Sequence, residues 1–301
     1  MRPYLIKYIL YLCAYLPLPV IHGIGVCIGW GLFLTPNRSR QTSEINIALC
    51  WPECSRREQR DLLRKSLVET GKTIIETSAL WLRPGENALQ LIKRVDGNEL
   101  VEQAIANGAG AILATPHLGA WEAAGLYGSA HYKITCLYRP LKMQELENLV
   151  QTARNRLGGN YVPATTKGIR AIYKALDQGG VVAMLPDQQP QAGTGMFAPF
   201  FGIPAYSMVF LARLAARTQT PIIFAWCERL SWGRGYHLHF RAMPAGEHPD
   251  IRSAVKATNQ AVEDCIRECP EQYQWSYRRF KNRPEGEASF YKKKHPVIKT
   301  D

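Results

Sequence analysis

Gly110-Ala-Ile-Leu-Ala-Thr-Pro-His117-Leu-Gly-Ala-Trp-Glu122-Ala-Ala-Gly125 is the stretch around which the chain is organised. Its small and apolar opening reads as a short buried strand ended by Pro116. Residues 119–130 read as a helix. His117 thus stands on a connection at the carboxyl end of a strand, with Glu122 in the first turn or two of the helix. Five residues exceed the three or four that make neighbours on one continuous helix face. The two side chains meet if the imidazole precedes the helix and folds back over its N-terminus. Glu122 then accepts a hydrogen bond from one ring nitrogen and leaves the other free to take a proton. The alternative is a histidine at a strand end and a glutamate favoured by the helix dipole.

Working outward, residues 133–139 form a second strand ended by Pro140, and residues 181–185 a third that runs into Pro186-Asp187-Gln188-Gln189. Helices are read over 143–157, which carries Arg154, and over 167–177. This alternation predicts an α/β fold: a mixed, mostly parallel sheet covered by helices. Reactive groups gather at the carboxyl ends of strands in such sheets. His117, Arg139 and Asp187 all fall at ends of that kind, so they are expected to share a site. Residues 189–206 read as a loop, unusually apolar at Met196-Phe-Ala-Pro-Phe-Phe-Gly-Ile203, fit to pack under the core or to meet an acyl chain. Strands follow over 221–227 and 236–241, and then a long helix over 250–269. His237 and His239 alternate onto one strand face. They are a metal pair or, the reading favoured from sequence, two edge-strand histidines.

The N-terminus sets the compartment. Residues 8–34 contain no Asp, Glu, Lys or Arg, and about 20 apolar residues suffice to span a bilayer. A cleaved signal peptide has a shorter apolar core and a small-residue site. The run therefore reads as an uncleaved membrane anchor, with a monotopic hydrophobic hairpin as the alternative. Pro17 and Pro19 either kink one spanning helix or divide the run into two interfacial pieces. Four parts are expected: an anchor over 1–36, a basic helical segment over 37–88, a catalytic domain over 89–283 and a basic tail over 284–301. Ser55 and Glu58 form a capping-box pattern ahead of Arg56, Arg57, Arg60, Arg64 and Lys65. These basic residues are a solvated helix face or a patch on anionic headgroups. The net charge of +12 favours nucleic acid, anionic lipid or an acidic protein partner. The eight cysteines show no paired framework and read as free thiols in a reducing compartment. No Walker loop, dinucleotide fingerprint or Gly-x-Ser-x-Gly elbow is present.

The His-x-x-x-x-Glu spacing resembles the motif of the glycerolipid acyltransferase superfamily. Nearly the whole chain resembles the bacterial late acyltransferases of lipid A biosynthesis. The residues that carry this are Asn46-Ile-Ala-Leu-Cys-Trp-Pro-Glu53, Thr115-Pro-His-Leu-Gly-Ala-Trp-Glu122, Tyr138-Arg-Pro140, Arg154 in Gln-Thr-Ala-Arg-Asn-Arg, Pro186-Asp-Gln188, Phe200-Phe-Gly202 and Pro270-Glu-Gln-Tyr-Gln-Trp-Ser-Tyr-Arg-Arg-Phe-Lys281. The resemblance implies catalytic His117 and Glu122, with Arg154 and Asp187 as further site residues. It also implies acyl carrier protein as donor, a membrane glycolipid as acceptor, and a catalytic domain facing the cytoplasm at a bacterial inner membrane. Related enzymes acylate mannosylated phosphatidylinositol or aminolipids, and no motif between Arg154 and the third strand fixes the acceptor.

On this reading His117 deprotonates an acceptor hydroxyl as it attacks the thioester, and Glu122 holds the imidazole tautomer. Arg154 binds a phosphate or pairs with Asp187, and Arg139 is a weaker candidate for the same work. Backbone N–H groups of residues 118–120 are the expected oxyanion donors. The chemistry requires no cofactor and no metal, and the partners are the carrier protein, the glycolipid and the membrane, not nucleic acid. A thioester or ester hydrolase using the same pair, and a non-enzymatic membrane adaptor, are the rival readings.

Overall fold

The computed structural model describes residues 2–141, 143–244 and 250–291, with residues 2–7 described by their backbone alone. The expected tail over 284–301 lies largely outside these residues.

The N-terminal apolar run is divided into two helices, one of the two outcomes expected from its prolines. α1 (Arg2–Ala14) and α2 (Leu18–Leu34) are separated at Pro17, which starts α2 with an extended ψ of 140°. At 1.5 Å per residue, the 17 residues of α2 cover about 25 Å, short of the roughly 30 Å hydrocarbon core. No helix among the described residues is by itself long and apolar enough to cross a membrane. The physical reason is double. Proline breaks the run, and one stripe of α2 (Leu18, Ile21, His22, Gly25, Gly29 and Phe33) is buried in the protein.

α3 (Arg38–Cys50) follows, and then α4 (Arg56–Leu82), begun by the Ser55/Glu58 capping box. α4 lies against α2 through glycines. A Cβ on Gly29 would stand 2.3 Å from the Val68 Cα, and one on Gly71 would stand 2.1 Å from the Gly25 carbonyl oxygen. The two backbones touch only because these side chains are absent.

The remaining elements alternate: α5 (Gly85–Leu89), β1 (Ile92–Asp96), α6 (Glu99–Ala106), β2 (Ala111–Ala114), α7 (Trp121–Tyr132), β3 (Thr135–Tyr138), α8 (Gln144–Asn155), β4 (Asn160–Pro163), α9 (Thr166–Asp177) and β5 (Val181–Met184). After them come β6 (Gly195–Phe200), β7 (Ile203–Met208), α10 (Phe210–Thr218), β8 (Ile222–Arg229), β9 (Tyr236–Ala242) and α11 (Ile251–Glu268). Seven strands form one sheet in the order β1-β9-β8-β2-β5-β3-β4. β8, β2, β5, β3 and β4 are mutually parallel; β9 reverses against β8, and β1 runs with β9. The expectation of a mostly parallel mixed sheet therefore holds.

The central strands are buried on both faces, with period two. Ile112, Ala114, Val182, Met184, Phe224 and Trp226 enter one core with α9, α10 and α11. Ala111, Leu113, Val181, Ala183, Ile223 and Ala225 enter the other with α2 and α7. Continuous apolar runs are what two covered faces demand. Each fully buried Val, Leu, Ile, Met or Phe among them contributes roughly 1.5–3 kcal/mol before conformational entropy is subtracted.

The stretch expected as an apolar loop is a hairpin. β6 and β7 pair antiparallel, with Pro199 directly opposite Pro204, and Phe201 and Gly202 turn the chain at positive φ. Two strands outside the main sheet leave room for prolines that an interior strand would reject. The hairpin packs under the core through Phe200 and Ala205.

Candidate active site

The carboxyl ends of β2, β5, β3 and β8 lie along one edge, and the polar side chains collect there. β2 and β5 are adjacent and in register from Ala111↔Val181 to Ala114↔Met184. Three residues beyond each strand stand His117 and Asp187, and adjacency brings them together. Asp187 Oδ1 lies 2.9 Å from His117 Nδ1, and Asp187 Oδ2 accepts the His117 backbone N–H at 3.0 Å. The Asp187 side chain is 2 % exposed and that of His117 15 %. Burial raises the Asp187 carboxyl, but the His117 charge and both hydrogen bonds outweigh it and hold the group below its usual value. A buried carboxylate on Nδ1 fixes the neutral tautomer with its proton on Nδ1 and its lone pair on Nε2. Nε2 accepts from the Gln188 amide at 3.1 Å, and that amide also donates to Gln274 Oε1 at 3.1 Å.

Glu122 occupies the first turn of α7 as expected, but its carboxylate serves other groups. Arg154 on α8 donates Nε to Oε2 at 3.1 Å and an Nη2 hydrogen to Oε1 at 2.5 Å, and Trp81 Nε1 donates to Oε2 at 3.1 Å. Burial raises the Glu122 carboxyl; the Arg154 charge and these hydrogen bonds, with a smaller influence of His117, bring it below the usual value. Two expectations change here. The partner of His117 Nδ1 is Asp187 and not Glu122, and the partner of Arg154 is Glu122 and not Asp187. The cause is the turn after β2. Gly119 takes φ +61°, and its position is bridged to Cys227 of β8. α7 starts at Trp121, and Glu122 on its first turn faces Arg154 and Trp81. His117 instead meets the Trp121 ring edge-on at 5.2 Å between centroids.

The backbone donors expected for an oxyanion are engaged. The N–H of Leu118 goes to Pro116 O, that of Gly119 to Gln272 O and that of Ala120 to Cys227 O. Arg139 follows β3, is exposed, and makes no hydrogen bond to protein among the described residues.

Sequence reasoning missed the support beneath the loop. Arg229, at the end of β8, donates to the Gly119 carbonyl at 2.8 Å. The same guanidinium binds both oxygens of Glu76 at 2.6–2.9 Å, Glu69 at 3.3 Å and Thr73 at 2.6 Å. His22 of α2 and Tyr236 of β9 complete the shell around Glu76, at 3.2 and 3.1 Å. Burial raises the Glu76 carboxyl, but Arg229 and His22 bring it down to about 2. Glu76 on an apolar helix face was the one visible sign, since a buried carboxylate requires a cation.

The family model for bacterial lipid A biosynthesis acyltransferases matches residues 2–282. The lipid A biosynthesis lauroyltransferase of Escherichia coli (strain K12) is 29 % identical over 289 residues, covering 94 % of this chain and 92 % of the relative. The palmitoleoyltransferase of the same strain is 28 % identical over 287 residues, with coverages of 94 % and 92 %. Its myristoyltransferase is 26 % identical over 264 residues, with coverages of 85 % and 79 %. With a match over nearly its whole length, this chain belongs to the bacterial lipid A biosynthesis acyltransferase family.

Proposed function

We propose that this chain is a membrane-associated O-acyltransferase that moves a fatty acyl chain from an acyl carrier protein thioester to a hydroxyl of a lipid A precursor. His117 is its general base, and Asp187 is the carboxylate that orients that base. The observation that carries the reading is the His117 ring held at Nδ1 by buried Asp187, with Nε2 presented on the other side. Nε2 takes the hydroxyl proton as the oxygen attacks the thioester carbonyl. The tetrahedral intermediate collapses with loss of the carrier thiol, and the imidazolium returns the proton to sulfur. Asp187 stabilises the cation between these two transfers. General base catalysis of this kind supplies on the order of 10²–10⁴-fold. The Gln188 amide beside Nε2, displaced by the incoming hydroxyl, is the side-chain donor we assign to the developing oxyanion. Glu122, Arg154 and Trp81 brace α7 and α8 at the flank of the site.

Two surfaces support the donor and the membrane. Arg57, Arg60, Arg64 and Lys65 line a cleft of about 660 Å³ with Phe33. Glu58, Asp61 and Glu271 also line it, and Asp61 pairs with Arg64 and Lys65, so Arg57 and Arg60 are the basic groups left to meet an acidic carrier protein. Exposed Tyr8, Ile9, Leu12, Tyr15, Val20, Trp30 and Leu34 give α1 and α2 an apolar outer face, which fits burial in a lipid interface. A second cleft of about 740 Å³, lined by Tyr11, Tyr15, Trp81 and Leu149, lies between these helices and α8. Its wall Trp81 donates a hydrogen bond to Glu122 at the flank of the site. We assign the catalytic domain to the cytoplasmic side of the bacterial inner membrane.

The test is mass spectrometry of lipid A from cells with and without the chain and with His117→Ala. Loss of one acyl chain, unrestored by the variant, supports the reading. An unchanged lipid A with a missing chain on another lipid moves the acceptor. Thioester hydrolysis without transfer in the presence of acceptor overturns the reading in favour of a hydrolase.

A further inference from the structure

Four metal-capable side chains outside the His117 site share one face of the sheet edge. In the β1/β9 pairing Asp96 stands opposite His239, and in the β8/β9 pairing Glu228 stands opposite His237. Side chains two apart on a strand share a face, so both imidazoles and both carboxylates point to the same side. One ligand atom from each of Asp96, His237 and His239 lies within 4.8 Å of the other two. The imidazole centroids are 3.7 Å apart. His237 Nε2 is 2.9 Å from Asp96 Oδ2, and His239 Nε2 is 3.2 Å from Glu228 Oε2. Trp226 stacks on the His239 ring at 4.7 Å and 8°, which fixes its plane.

We infer that Asp96, His237 and His239 form a binding site for a zinc-class divalent cation, with Glu228 at its rim. Two imidazoles and a carboxylate are a borderline donor set that zinc accepts with ligand bonds of about 2.0–2.2 Å. Ligand atoms around such an ion stand roughly 3.3–3.6 Å apart, so small side-chain rotations close the present spread. Magnesium and calcium demand oxygen ligands and are disfavoured. One cation competes for the site already. Arg94 donates to both Asp96 oxygens, at 2.9 and 2.7 Å, but its side chain is 67 % exposed and free to swing into water. A bound ion would clamp edge strand β1, whose only sheet neighbour among the described residues is β9. Glu228 sits between Cys227, whose carbonyl holds Ala120, and Arg229, which holds Gly119. The clamp therefore stiffens the strand end on which the His117 loop rests.

The test uses the purified full chain, stripped with chelator and titrated with Zn²⁺, with Mg²⁺ as the control. Retained metal after gel filtration and the thermal unfolding midpoint are measured. About one equivalent of Zn²⁺ is retained and raises the midpoint, and Mg²⁺ does neither. His239→Gln and Asp96→Asn each weaken Zn²⁺ binding by about tenfold or more. The Asp96 side chain is 42 % exposed, so its variant keeps the fold if the histidine variant does not. Arg94→Gln tightens binding, a result that a merely structural ion pair would not give. His117→Gln and Cys54→Ser bind as the wild type does. No retained Zn²⁺, binding that survives in Asp96→Asn, or binding lost in His117→Gln or Cys54→Ser would overturn the assignment.

Discussion

Asp187 grips His117 twice, at the backbone N–H and at Nδ1, at 3.0 and 2.9 Å. One carboxylate thus sets both the path of the loop after β2 and the tautomer of its imidazole. Replacing Asp187 by Asn keeps the size of the side chain but removes its charge and turns one of the two accepting oxygens into an NH₂ donor. The imidazole is then free to place its proton on Nε2, where no base is left. Steady-state acyl transfer by Asp187→Asn is expected to fall by about 10²–10⁴-fold in kcat with a smaller change in KM.

Glu122 and Arg154 act as one unit, since the guanidinium makes two hydrogen bonds to the carboxylate. Glu122→Gln and Arg154→Gln should each lower stability and activity, and the double variant should be little worse than either. A double-mutant cycle read by denaturant unfolding is expected to give a coupling of about 1–3 kcal/mol. A coupling near zero would separate the two residues.

Arg229 and Glu76 form the buried counterpart, with side chains 2 % and 1 % exposed. Glu76→Gln leaves the guanidinium with only Glu69 for charge and should cost about 3–5 kcal/mol. The pH dependence follows the same pair. The Glu76 carboxyl is lowered in the fold from 4.5 to about 2. Its stabilisation is therefore complete above the unfolded value and is lost as pH falls from 4.5 through about 2. Unfolding free energies measured at pH 6, 4 and 3 should fall more steeply in the wild type than in Glu76→Gln.

The α2/α4 contact can be tested with two glycines on one helix. A Cβ on Gly29 would meet backbone of Val68 at 2.3 Å, whereas one on Gly31 would meet nothing within 4 Å. Gly29→Ala should destabilise by about 1–3 kcal/mol, and Gly31→Ala should be neutral or gain up to about 1 kcal/mol from helix propensity. Thermal midpoints of the two variants should move in opposite directions, or the Gly31 variant should stay unchanged.

Much of this arrangement was legible in the residues. β2 and β5 announce themselves because strands covered on both faces need unbroken apolar runs, and strand ends in a parallel sheet share an edge. That logic alone brought His117 beside Asp187. It could not choose the partner of Nδ1. A five-residue spacing fits a histidine folded back over a helix, and the partners that decide otherwise, Asp187 at Nδ1 and Arg154 at Glu122, lie 70 and 32 residues away in sequence. The β6/β7 hairpin was hidden by its prolines, which face each other where no ladder requires their N–H. Pro17 and Pro19 announced the break in residues 8–34, but the glycine-lined contact of α2 with α4 was not visible in the apolar count. Arg229 lay out of reach of local pattern, because its partners are 110–160 residues away in sequence.

The most direct test of the central claim is the rate of acyl transfer from acyl carrier protein to a lipid A precursor, followed by mass spectrometry. It compares wild type, His117→Ala, Asp187→Asn and Glu122→Gln, each checked for folding. The rates of His117→Ala and Asp187→Asn are expected to fall together by about 10²–10⁴-fold, with Glu122→Gln less affected in kcat. Transfer by His117→Ala at the wild-type rate would contradict the base assignment. Transfer by Asp187→Asn at that rate, with Glu122→Gln inactive, would return the orienting role to Glu122.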